Sequence, residues 1–144
     1  MKELWQEILF VYGDGRYELM INGFLNTLKI TAGALVLGIV IGILVAAVRS
    51  SFDKNRESMK KHGGISYWVL AVINAICKVY LTVIRGTPVV VQLMIMYFVV
   101  FVSAKDGVPV AIVAFGINSG AYVAEIFRAG IMSIDNGQFE AGRS

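Results

Sequence analysis

The sequence predicts an all-α membrane protein, and three observations carry that prediction. Only 16% of the residues are charged and 57% are apolar, against about 25% charged in an ordinary soluble domain. The charges are also clustered: residues 30–48, 86–104 and 107–124 form uncharged runs of 19, 19 and 18 residues, close to the about 20 that one bilayer crossing needs. Finally, "RSSFDKNRESMKKH" after the first run sets Arg49, Lys54, Arg56, Lys60 and Lys61 against Asp53 and Glu57, an excess of Lys and Arg that marks the cytoplasmic side. Three runs of this kind in 144 residues would leave a soluble domain too little polar surface.

Residues 1–26 are expected to form an outer-face interfacial helix and lead-in, because Leu4, Trp5, Ile8, Leu9 and Tyr12 recur at helical spacing among Glu3, Glu7, Asp14 and Glu18. The first span follows at about 27–48. Ala34, Gly38, Gly42 and Ala46 lie along it at steps of four and include a GxxxG element, a stripe on which another helix can approach backbone to backbone. That helix belongs either to the same chain or to a second copy. Residues 49–85 are read as a cytoplasmic loop and an amphipathic helix, since Asn74, Lys78 and Arg85 fall on one face of a stretch otherwise apolar from Ile65 to Ile84. If that stretch crossed instead, the count would be four spans and the end of the chain would lie outside.

Further spans are expected at about 86–104 and 108–130. Pro88 and Pro109 stand near their starts, where a missing amide donor costs little. In the last span Asn118, Tyr122 and Glu125 fall at i, i+4 and i+7, stacked on one face, with Ser119 at the flank. A carboxylate at such depth costs about 2.5–3.5 kcal/mol on insertion scales and so must face protein or water. Either Glu125 pairs with Arg128 one turn on and anchors the helix end, or the stripe is a polar wall along a solute path. The segment 135–144 reads as the start of another short helix, which Asp135 or Asn136 can cap and whose dipole Glu140 complements. The N-terminus is then outside and residue 144 cytoplasmic.

Several chemistries are excluded. Cys77 has no partner and His62 sits in a charged loop, so disulfide and zinc readings have no support. G-x-x-x-x-G-K-[ST] is absent, so no loop cradles a nucleotide phosphate. No nucleophile, base and acid set suggests an enzyme. The net charge of +3 follows from topology rather than from nucleic-acid binding.

"YLTVIRGTPVVVQLMIMYF" and "GAYVAEIFRAGIMSIDNGQFEAGRS" closely resemble the transmembrane permease subunits of ABC importers for polar amino acids, the histidine/glutamine class of the MetI-like superfamily. Arg85, Gly86, Thr87 and Pro88 match one family motif; Ala121, Tyr122, Glu125, Arg128 and Gly130 match a second. Gly137, Gln138, Glu140, Ala141 and Gly142 match the front of the cytoplasmic EAA loop, with Gly142 where alanine is more usual. The remainder of that loop and two further membrane helices are missing, so the chain resembles a C-terminally truncated permease. The fold implied is the N-terminal three-span part of a MetI-like domain, in the bacterial inner membrane. The resemblance further implies a second permease subunit, an extracytoplasmic solute-binding protein and a separate ABC ATPase that holds ATP and Mg, leaving no cofactor in this chain. Asn118, Ser119, Tyr122 and Glu125 are accordingly expected in the path of a polar amino acid or in its packing, and Gly137, Gln138, Glu140, Ala141 and Gly142 in contact with the ATPase. The rival reading is a membrane-anchored structural or sensory subunit that dimerises through GxxxG.

Overall fold

Between Arg16 and His62 nothing forces the chain out of a helix: there is no proline, and the charged residues after Val48 are good helix formers. In a computed structural model, which describes residues 5–6, 16–62 and 64–134, this stretch is one helix, α1 (Arg16–His62), of 47 residues, about 70 Å long. Two sequence expectations are corrected here. Residues 16–26 are the first turns of α1 rather than a separate lead-in, and residues 49–62 continue it where a loop was expected. The charge pattern marks where the apolar run stops, and a helix that leaves an apolar layer has no reason to end while its residues favour it.

Gly64, extended at φ −88° and ψ 164°, precedes α2 (Ile65–Gly86). Thr87 ends α2 in an extended conformation (φ −119°, ψ 145°), as steric conflict with a following proline requires. Pro88 then opens α3 (Val89–Ile95), which passes into a π-helical stretch, Met96–Val100. Asp106 caps α4 (Gly107–Met132) by accepting from the Val108 amide at 2.9 Å.

α1 and α4 pack side by side over most of α4, and small residues permit it. Gly33 faces Ile112, Leu37 lies over Gly116, Ile41 over Gly120, and Gly42 meets Val123 and the Ala124 amide. Ala34, Ala46, Ala121 and Ala124 are buried. Numbers rise together along both helices, so the two run parallel. The chain must therefore return from the far end of α1 to the start of α4, and a fourth crossing would have made the pair antiparallel.

Two segments share the return. By length and composition the helices able to cross a membrane are Arg16–Lys54, Tyr67–Gly86 and Gly107–Met132, with Val89–Val100 shorter. The expected run 86–104 is thus interrupted, its helical part covering only 12 of those residues. Yet contacts place it along α4 in the opposite sense: Arg85 at Glu125, Gln92 at Asn118, Tyr97 beside Gly107. α2 lies crosswise instead. The Tyr67 ring stacks on Phe52 at 6.2 Å, and Arg85 reaches the same carboxylate as Arg49. Those two contacts are about 27 Å apart along α2 but only about one turn apart along α1.

The amphipathic character of α2 is turned inward. Asn74 and Leu81 are buried against the rest of the protein, whereas Trp68, Val72, Ile76, Val79 and Val83 are exposed. Leu81 joins Ala121 and Ala124 in a small core, flanked by Val45, Tyr80 and Ile84.

Candidate functional site

The polar residues of the apolar helices meet at the junction of α2, α3 and α4, in two tiers. The first is built on the turn at residues 86–88. Thr87 turns its hydroxyl back to the Val83 carbonyl at 2.8 Å. Gln92, one turn into α3, directs its amide nitrogen to the Ile84 carbonyl at 2.7 Å and to the Thr87 hydroxyl at 2.7 Å. Its amide oxygen accepts from the Asn118 side chain at 3.1 Å. One side chain thus ties the end of α2, the turn and α4 together, which gives a physical account of a glutamine in an otherwise apolar run: the break at Gly86 and Pro88 frees carbonyls that need a donor.

The second tier is ionic. The Glu125 carboxylate lies 3.5 Å from Arg85, 3.6 Å from Arg49 and 3.9 Å from Arg128. Arg128 is nearer to Asp53, at 3.2 Å. The expected pairing of Glu125 with Arg128 is therefore the loosest of its three contacts, because Asp53 on the unbroken α1 competes for that arginine. Arg85 also stands over the Tyr122 ring, 5.8 Å from its centroid. Between these groups opens a cleft of about 490 Å³ lined by Arg49, Lys78, Thr82, Arg85, Tyr122 and Glu125 among others.

Asn118, Tyr122 and Glu125 do share one face of α4, and each meets the α2–α3 turn region: Asn118 through Gln92, Tyr122 and Glu125 through Arg85. Ser119 does not join them. Its hydroxyl donates to the Phe115 carbonyl at 2.8 Å and sits against Gly38 in the α1–α4 seam. Ala34, Gly38, Gly42 and Ala46 line that same seam, covered by α4 of their own chain. A second, mainly apolar groove of about 520 Å³ opens above it between Thr27, Thr31, Leu35, Phe115 and Asn118. Gly137, Gln138, Glu140, Ala141 and Gly142 lie outside the described residues. Among the described residues no cluster of His, Cys, Asp or Glu could hold a metal ion.

Besides Gln92, visible in the sequence only as a polar residue inside an apolar run, four contributors were not singled out as site residues. Arg49 and Asp53 read there only as topology charges, and Lys78 only as one point on a polar face. Tyr80, whose hydroxyl donates to the Ile117 carbonyl at 2.6 Å, carries no signal in a single sequence. The polar face of α2 was the available clue, since a cation on an apolar helix must find an anion or water.

With this geometry in view, comparison with known proteins is informative. Residues 38–144 match the family described as binding-protein-dependent transport system inner membrane component. A Rickettsia prowazekii protein assigned as glutamine transport system permease GlnP is 39% identical over 128 residues, covering 87% of this chain and 51% of that protein. Glutamine transport system permease protein GlnP of Escherichia coli K12 is 38% identical, with 86% and 51% covered. L-cystine transport system permease protein TcyB of Bacillus subtilis is 34% identical, with 88% and 47% covered. A crystal structure of an amino acid ABC transporter with histidines superposes with a TM-score of 0.66 at 34% identity, over 93% of this chain and 56% of that one. The chain spans about half the length of the curated relatives it matches. Parallel α1 and α4, a return segment broken at residues 86–88 and a family match over residues 38–144 lead to one assignment: the chain belongs to the family of binding-protein-dependent transport system inner membrane components.

Proposed function

We propose that this chain supplies part of the transmembrane path of an ATP-driven importer of polar amino acids. The observation that carries the reading is the alignment of Asn118, Tyr122 and Glu125 on one face of α4, toward the turn at residues 86–88, in a chain whose relatives are named for glutamine and cystine transport. On this reading the basic end of α1 is cytoplasmic, the N-terminus is outside, and the end of α4 emerges beside Asp53 on the cytoplasmic face. On the same reading Gly137, Gln138, Glu140, Ala141 and Gly142, outside the described residues, are the segment that a cytosolic ATPase contacts. A second permease subunit, a solute-binding protein outside and ATP with Mg on the ATPase complete the assembly.

Asn118 fixes the return segment through Gln92, Tyr122 and Glu125 brace the path against the α2–α3 turn through Arg85, and Ser119 packs the seam. Against the rival structural or sensory subunit, the GxxxG stripe is filled by α4 and offers no free dimer face. The test is uptake of labelled glutamine and cystine by the complete protein, reconstituted with its ATPase and binding protein. Glu125→Gln should lower uptake at least ~10-fold at unchanged assembly. Glu140→Arg should leave ATP hydrolysis running without uptake. Normal uptake in both variants would refute the assignment.

A further inference from the structure

The cleft beside Glu125 has a charge imbalance that the fold itself does not resolve. Arg49, Lys78 and Arg85 line it against the single carboxylate of Glu125. The Arg49 side chain is only 12% exposed, and its Nε is buried with no hydrogen-bond partner. The separations to Glu125, 3.6 Å from Arg49 and 3.5 Å from Arg85, exceed the about 2.7–2.9 Å of a direct charge-assisted hydrogen bond. Guanidinium donors are thus gathered at one place, partly desolvated, and only loosely compensated. Such an arrangement is costly when empty and favourable around an oxyanion with several acceptor oxygens.

The position of the cleft selects the source of that oxyanion. Arg49 directly follows the apolar run that ends at Val48, which sets the cleft at the level where an apolar layer gives way to water. α2 lies crosswise at that level, and its outward face is apolar: Trp68, Val72, Ile76, Val79 and Val83 are all exposed. Lys78, Thr82 and Arg85 of the same helix line the cleft. A side-lying helix with an apolar outer face and a basic inner edge is the arrangement that holds a lipid by both its parts. We propose that the cleft binds the phosphate of an anionic phospholipid, with Arg49, Lys78 and Arg85 around the headgroup and the acyl chains along the outer face of α2. Tyr122, in the same lining, offers its hydroxyl to a remaining phosphate oxygen, whereas the Thr82 hydroxyl is already given to the Lys78 carbonyl at 2.9 Å. Zwitterionic phosphatidylcholine fits less well, because its choline cation would enter the same field. Glu125, facing Arg49 and Arg85, partly offsets their charge in the empty cleft.

The experiment uses the full-length protein, purified in detergent and stripped of lipid, titrated with short-chain phosphatidylglycerol or phosphatidylcholine and read by native mass spectrometry. One phosphatidylglycerol per chain should bind saturably and in preference to phosphatidylcholine. Lys78→Ala with Arg85→Ala should weaken it by about 10- to 30-fold, Lys78→Arg should retain it, and Lys105→Ala, at the opposite end of α4, should leave it unchanged. Helical circular dichroism of the double variant checks that it remains folded. The proposal is overturned if the folded double variant binds as the unaltered protein does, or if Lys105→Ala weakens binding equally. It is also overturned if free glutamine displaces the lipid in preference to inorganic phosphate, which would make the cleft a carboxylate subsite of the transport path. Loss of transport alone decides nothing about the lipid, so failure of the transport reading and of this one are separable.

Discussion

The α1–α4 seam and the α2–α3 junction are held by opposite means. Along the seam, Gly33, Gly38, Gly42, Gly116 and Gly120 bring the helix backbones close together: a Cβ at Gly38 would stand 3.3 Å from the Gly120 amide nitrogen, and one at Gly42 would stand 3.1 Å from that of Ala124. At the junction, side chains reach across a cleft, and a few polar contacts carried by Gln92, Glu125 and Tyr80 do the holding. Shape-based packing has no alternative partner, whereas an ion pair can exchange one arginine for another with little loss. The seam is therefore the more constrained of the two, and the junction has the greater freedom to exchange partners.

The largest expected effect tests the seam. Gly42→Val drives two methyl groups into Val123, whose Cβ already lies 2.6 Å from the position a Cβ would take, and neither backbone can retreat without unzipping the pair. Overpacking of this kind costs about 1–3 kcal/mol, with the upper end expected where backbone rather than a flexible side-chain tip is the obstacle. Thermal unfolding in detergent should show a lower midpoint and loss of the helix pair, read as new accessibility of a cysteine placed at Ala121. An unchanged midpoint would mean that α4 does not sit where the seam puts it.

A smaller effect tests the junction. Gln92→Ala removes the donor to Ile84 and Thr87 and the acceptor for Asn118 together, while Asn118→Ala removes one contact only. Unsatisfied buried groups cost about 1–3 kcal/mol, so the glutamine variant should be the less stable of the two in the same unfolding assay. Equal losses would indicate that the turn at residues 86–88 holds itself without Gln92.

These contrasts also explain what was legible in the sequence. Three apolar stretches and the basic cluster after Val48 are local signals, and they led to an all-α membrane fold. Small residues at steps of four announced a close helix approach, because only a neighbouring backbone needs that room. Which helix approaches, and in which direction, is a long-range matter: nothing in residues 34–46 names Gly116 or Gly120. The continuation of α1 to His62 was missed because charge was read as loop, although Lys, Arg, Glu and Met sustain a helix in water. The ion cluster was missed for a different reason. Arg49, Asp53, Arg85, Glu125 and Arg128 come from three helices, and the sequence set Glu125 only against Arg128, its neighbour one turn on; only the parallel pairing of α1 with α4 brings Asp53 to Arg128 and Arg49 to Glu125.

The finest test of the comparison uses one substitution at two places. Gly23 lies in α1 before the seam begins, and no atom within 4 Å would meet a Cβ there. Alanine in a helix interior is favoured over glycine by about 0.5–1 kcal/mol, partly because the unfolded chain loses freedom. Gly23→Ala should therefore stabilise the protein by about that amount. Gly42→Ala gains the same backbone term but sets its Cβ 2.6 Å from that of Val123 and 3.1 Å from the Ala124 amide, so its net effect should be destabilising. Opposite signs for the same chemical change, measured by unfolding in one detergent, would separate helix propensity from packing within a single helix. If both variants were stabilised alike, the seam would be loose enough to admit a methyl group, and the distinction between a constrained pair and a freer junction would have to be drawn elsewhere.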